Sequence, residues 1–435
     1  MASDAVGFLH TEALALMSRL ELVQPFALTD TMVPAAGLMP AAQSAIEAYL
    51  VDGRSRLREA VGEFIRWSSS AHARRVEPAV AQRRFTFLRL RFNVVLTHLD
   101  IFAHAISQRS EHRVGVWLSG MDMAAQDAIR LPGIYEPPPI ICYLERGGGG
   151  AIRRARTRLP GGGHSPVAVI RMPRERMVGT GIASSLFHEV GHQAAALLDL
   201  ATSLHETLGS LANQQRPEAL AWQLWDRWLN EILADFWAIA RVGIGSTLGL
   251  ISIVTLPRVF VFRLSNDDPH PVPWLRVRLS CAIGAALFPD PQWQELERVW
   301  MTLYPKPAAM SGHGGLFDLL ESTMPSLVTL IANHRPRRLK GRSLKEVLEV
   351  DRIAPWRLRQ LWPALASSRR ALFALTPCIA LAAISQARSD QQIDPAQERE
   401  LVGALLTHWA LRGTLDMSLF CANAKGGTRR LAALA

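Results

Sequence analysis

The run Phe187-His188-Glu189-Val190-Gly191-His192-Gln193 places two histidines four residues apart with a glutamate directly after the first. On an α-helix, which turns about 100° per residue, His188 and His192 stand one above the other on one face and can share a metal ion, while Glu189 points to the side. Two imidazoles leave a zinc ion needing another protein ligand and a water molecule. The Glu189 carboxylate is then placed to take a proton from that water. Composition alone would generate this spacing about 0.02 times in a chain of this length, so it is read as a signal. The flanking Leu186, Phe187, Val190 and Ala194 are uncharged, as a buried metal-bearing helix requires, and Gly191 allows another helix to lie close.

The remaining ligand decides the variety of site. A metzincin would continue with a glycine and a further His or Asp, but those positions hold Ala195 and Leu198, with Asp199 one residue out of register. A gluzincin instead takes a glutamate from a second helix, often followed four residues later by an aspartate that supports a ligating histidine. Glu231 and Asp235, in Trp228-Leu229-Asn230-Glu231-Ile232-Leu233-Ala234-Asp235, fit both roles. Residues four apart share a helix face, so both carboxylates can point into one gap. Small Ala234 and Ala238 would let this helix approach the His188 helix.

With these residues the chain resembles the gluzincin clan of zinc metallopeptidases. Glu231 to Asp235 followed by Asp268-Pro269-His270-Pro271 and Arg276 is similar to the CAAX-protease and HtpX-like branch, here without clear transmembrane spans. The resemblance covers roughly residues 165 to 280. It implies a zincin core with Zn2+ held by His188, His192 and Glu231, Asp235 behind a ligand, and Glu189 as general base in peptide-bond hydrolysis. It also implies a small sheet whose edge strand, here Val167 to Met172, pairs with extended peptide. The oxyanion needs a donor besides zinc; His270 is the first candidate, with Arg276 and Tyr304 behind it. The alternative function is a zincin-derived binding or regulatory module whose peptidase activity is lost or conditional.

The elements that must position these residues follow from periodicity and breakers. Residues 1–130 read as a helical N-terminal region, with helices over Ala41 to Trp67 and Ala79 to Ile106. Residues 131–280 form the catalytic core: strand candidates Ile140 to Leu144 and Val167 to Met172, a helix from Thr180 to Leu200, and a long helix from Pro217 to Val242. Residues 281–435 read as a helical C-terminal region. The expected class is mainly α with a small β-sheet (α+β). Trp222, Trp225 and Trp228 are expected in the core. The lone His98, His104, His164 and His205 are read as structural or surface residues.

Composition sets the outer limits. With 435 residues, 49% hydrophobic and 20% charged, the chain is neither intrinsically disordered nor collagen-like. Four scattered cysteines suit a reducing compartment, and the first thirty residues lack the pattern of a signal peptide, so a cytoplasmic location is expected. The apolar stretches Val242 to Pro257 and Ala371 to Ala387 are shorter than the roughly 20 residues a bilayer span needs, so stable membrane insertion is not expected. The formal charge of +10 resolves into an arginine bias with two clusters, Arg146 to Arg176 and Arg335 to Lys345. The first precedes the His188 helix and reads either as a positive rim steering a protein or peptide substrate with acidic segments or as a solvated loop held open by its glycines. The second lacks interleaved aromatics or a recognition motif, so nucleic acid is not the expected partner.

Overall fold

The computed structural model describes residues 2–22, 33–147, 149–159, 163–174, 177, 179–214, 216–265, 267–306 and 314–432. Helices α1 (Ala2–Leu22), α2 (Pro40–Ser68), α3 (Pro78–Ser107) and α4 (His112–Ile129) come first. Both α2 and α3 open on a proline, which has no N–H to lose at a first helical position. The apolar stripes of α1, α2 and α3 meet through Leu16, Leu20, Val61, Phe64, Phe85 and Phe92.

Three strands follow: β1 (Ile140–Glu145), β2 (Ala151–Arg153) and β3 (Ala168–Pro173). The sheet order is β1-β3-β2. β1 runs parallel to β3, with Ile140 opposite Ala168, and β2 runs antiparallel to it, with Ile152 opposite Ile170. Strand alternation separates two apolar faces. Ile140, Cys142, Leu144, Ile170 and Met172 join the largest core, whereas Ile141 and Val169 pack with Leu50, Leu99 and Phe102 of α2 and α3. The sheet is therefore covered on both sides.

The outer edge of β1 is closed by side chains. Gln108 donates from Nε2 to the Leu144 carbonyl and accepts the Leu144 N–H at Oε1, both at 2.8 Å. Asp122 accepts the Cys142 N–H at 2.7 Å, and Arg109 donates to the Cys142 carbonyl at 2.7 Å while pairing with Asp122 at 2.9 Å. This fully buried ion pair is stabilised because each charge also satisfies strand backbone.

Beyond the sheet the chain is helical: α5 (Thr180–Leu198), α6 (Leu200–Ala212), α7 (Ala219–Arg227), α8 (Leu229–Val242), α9 (Ile244–Val254) and α10 (Pro273–Leu287). Then come α11 (Gln292–Leu303), α12 (Gly314–Asn333), α13 (Pro355–Ser367), α14 (Pro377–Ser389) and α15 (Pro395–Ala432), with shorter helical turns between them. One cluster of buried apolar side chains runs from Leu118 to Trp409. The class is mainly α with a small three-stranded sheet, as the periodicities indicate.

Two local differences from the sequence reading matter for the site. The segment expected as one helix from Pro217 to Val242 breaks at Trp228, whose ψ is 2°, so Glu231 lies in the first turn of a new helix. There the positive end of the helix dipole favours a carboxylate. The break also buries Trp225 and Trp228 edge to face, 5.7 Å apart, with the Trp225 indole donating to Thr323. As expected, all three tryptophans are core residues. Of the two apolar stretches, the first yields the 11-residue α9, and the second is split by a turn before α14. Among the described residues, one segment, Gly315–Asn333, is long and apolar enough to cross a membrane by length and composition.

Candidate metal centre

α5 and α8 cross at Gly191, where an added Cβ would lie 2.7 Å from the Ala234 Cα. This close approach sets the His188–His192 face against the Glu231–Asp235 face. His188 Nε2 lies 3.1 Å and His192 Nε2 3.4 Å from Glu231 Oε2. Ligand atoms of the three residues all lie within 4.8 Å of one another. His188 Nδ1 donates to Asp235 Oδ1 at 2.8 Å. Arg276, from the first turn of α10, grips Asp235 through Nε at 2.7 Å and Nη2 at 2.9 Å. His270, in the loop before α10, places Nε2 3.1 Å from the same Glu231 oxygen and Nδ1 2.8 Å from Asp268.

The donor set fits zinc. Ligand bonds of about 2.0–2.1 Å in a tetrahedron put neighbouring ligand atoms about 3.3 Å apart, the spacing Glu231 Oε2 keeps from both histidine nitrogens. Asp235 fixes the His188 tautomer with the proton on Nδ1, which turns Nε2 towards the gap, and Arg276 fixes Asp235. Burial works against the charged form of His188, but Asp235 and Glu231 outweigh it and raise its pKa to about 9, so ligation by Nε2 would displace the proton there and leave the one on Nδ1. Burial would also raise Glu231 and Asp235. Hydrogen bonds from the three histidines hold Glu231 well below the usual carboxylate range, and Arg276 with His188 does the same for Asp235. Both carboxylates are thus anionic, as ligation and its support require.

Glu189 stands apart from this set. It is 6% exposed, and burial raises its pKa against the lowering pull of the nearby imidazoles. A Cβ at Gly150 would lie 2.5 Å from Glu189 Oε1, so any side chain there would push this carboxylate out of its place beside the chain entering β2. Just after β2, the Ala155 N–H donates to Gln193 Oε1 at 2.7 Å. The chain around β2 therefore passes close to Glu189 before the strand and is hydrogen-bonded to Gln193 after it.

This arrangement corrects the strand assigned to peptide. β3, which carries Val167 to Met172 apart from its first residue, is the central strand and is paired on both sides, so it offers no edge. Gln108, Asp122 and Arg109 occupy the outer edge of β1, which leaves the outer edge of β2. Arg276 is committed to Asp235 rather than to an oxyanion. Tyr304 donates its hydroxyl to the Leu256 carbonyl at 3.0 Å, away from the three ligands. His98 accepts or donates to the Tyr49 hydroxyl at 2.9 Å, and His205 pairs with Asp226, in keeping with structural roles. In the first arginine cluster, Arg171 pairs with Glu145 and Arg174 lies 3.7 Å from Glu111, whereas Arg153 and Arg154 are exposed at β2; Arg176 lies outside the described residues.

Asp268 and Gly150 lie beside His270 and Glu189, and the sequence reading gave them no role. Asp268 sits two residues before His270, a spacing that lets its carboxylate accept both the backbone and the ring N–H of that histidine. Gly150 belongs to a glycine tract, where nothing local separates a close-approach glycine from a loop glycine. Compared with family models, curated proteins and solved structures, the chain matches none.

Proposed function

We propose that the chain is a zinc-dependent peptidase of the gluzincin type. The observation carrying this reading is the convergence of His188 and His192 Nε2 on Glu231 Oε2, with Asp235 behind His188. When bound by these residues, zinc supplies a Lewis acid that acidifies water and polarises a carbonyl. Glu189 takes a proton from the attacking water and returns it to the leaving amine. Its place directly after His188, buried beside the face that carries both histidines, supports this shuttle. His270, held by Asp268 at Nδ1, would donate from Nε2 towards the developing oxyanion in place of the Glu231 oxygen that this nitrogen faces at 3.1 Å.

Extended peptide pairs antiparallel along the outer edge of β2, which passes close to Glu189 and is followed by the Ala155 bond to Gln193. Exposed Arg153 and Arg154 then favour acidic residues in that peptide.

Replacing Glu189 by Gln tests the reading. The variant should keep zinc at the stoichiometry of the parent protein and lose hydrolysis by on the order of 10²–10⁴-fold. New N-termini in a proteome incubated with the parent protein should vanish with the variant. Equal cleavage by both, or none by either in the zinc-loaded state, would sink the proposal and favour a binding module.

A further inference from the structure

The second basic run, Arg335 to Lys345, is largely consumed by the fold. Arg338 donates to the Leu197 carbonyl at the end of α5 at 2.7 Å, and Lys345 to the Ala286 carbonyl at the end of α10 at 3.2 Å. Both complete helix C-termini, where carbonyls lack partners and a cation is favoured. Lys340 donates to the Gly133 carbonyl at 2.8 Å, and Arg335 pairs with Glu346 at 3.0 Å. Among the described residues, the side chains of Arg337 and Arg342 are left over. Arg342 lines a cavity of about 280 Å3 together with Arg130, Arg241, Arg352, Asp127 and Glu349.

The charges in this cavity do not cancel. Glu349 pairs with Arg352 at 3.3 Å, and Asp127 is used to accept the Cys378 N–H at 2.9 Å in the first turn of α14. Among the described residues, the guanidiniums of Arg130 and Arg342 have no acidic partner. Arg241 spends Nη2 on the Arg130 carbonyl at 2.6 Å and lies over the Trp237 ring, while its Nε is buried without a hydrogen-bond partner. A buried N–H of this kind is costly unless something accepts from it.

We propose that this cavity is a binding site for a small phosphate monoester. Guanidinium groups match phosphate oxygens through paired, charge-assisted N–H donors, and they hold their charge at any physiological pH. The cavity has two more guanidiniums than carboxylates, which balances a phosphate monoester carrying about −1.5 to −2 at neutral pH. Its volume leaves room for an organic portion beside the phosphate, walled by Leu131, Ile353 and Ile379. The site lies at the opposite end of α8 from Glu231, ten residues and roughly 15 Å away along the helix. It is independent of the peptidase reading.

Titration calorimetry on the full chain, at constant ionic strength set with sodium chloride, tests this with inorganic phosphate and glycerol phosphate as separate probes. Saturable one-to-one binding of glycerol phosphate is expected, tighter than that of inorganic phosphate. Arg342→Gln and Arg130→Gln should each weaken it by about tenfold or more, because each removes a charge-assisted contact from an exposed position that the fold does not need. Arg337→Gln, in the same run but outside the cavity, should bind as the parent does. Absence of saturable binding, tighter binding of inorganic phosphate, or equal weakening in all three variants would overturn the proposal.

Discussion

His188 carries two separate tasks on its two ring nitrogens. Nδ1 is held by Asp235, and Nε2 faces Glu231 and His192. Asp235→Asn keeps the shape but removes the charge that both His188 and Arg276 answer. Zinc affinity, measured by competition with a chelator, should fall by roughly 10–100-fold. An unchanged affinity would show that Asp235 has no part in ligand orientation. Gly150 permits a different separation of roles, because it touches Glu189 and not the ligands. Gly150→Ala should lower peptide hydrolysis by on the order of 10²-fold through displacement of the base, with zinc affinity retained. Loss of both together would place Gly150 in the metal site itself.

At the scale of elements, the centre depends on helices meeting at fixed contacts. Residues on α5 and α8 face one another because Gly191 and Ala234 remove side-chain bulk at the crossing. The α6 helix is held in turn by Ser203, whose hydroxyl lies 2.7 Å from His334 Nε2 just beyond α12. Burial lowers the pKa of His334 below the ordinary histidine value. A folded state that prefers the neutral ring has this contribution in full above the unfolded pKa of about 6.5, and it declines as pH falls because the unfolded chain binds the proton first. Denaturant midpoints should therefore drop between about pH 7.5 and pH 5.5, and His334→Gln should flatten that drop. An identical slope in the variant would assign the pH dependence to other groups.

Over the whole molecule, the candidate metal centre joins α5, α8 and the loop leading into α10. A ligand set drawn from separate elements exists only in the folded chain, so zinc should bind the native state in preference to the unfolded one. Thermal unfolding should shift upward with zinc and downward with a chelator, by a free energy near 4 kcal/mol when free zinc is about 1,000 times its dissociation constant. The same addition to Glu231→Gln should give a much smaller shift. Equal shifts in the parent and the variant would mean that zinc acts elsewhere on the chain.

The two linked spacings were legible in the sequence because they are local. Once a segment is helical, His188 with His192 and Glu231 with Asp235 are placed by the 3.6-residue turn alone. The helical class was legible for the same reason: α2 and α3 fall within a residue of the apolar periodicity and their opening prolines. Sheet order was not, since β1, β2 and β3 announce strands but not neighbours, and only pairing over some thirty residues makes β3 central and leaves the β2 edge open. The partners of the cations were hidden in the same way. Arg276 finds Asp235, Arg338 finds the end of α5, and Arg342 finds none among the described residues, because charge is written residue by residue while its compensation is set by whatever the fold brings within about 3 Å.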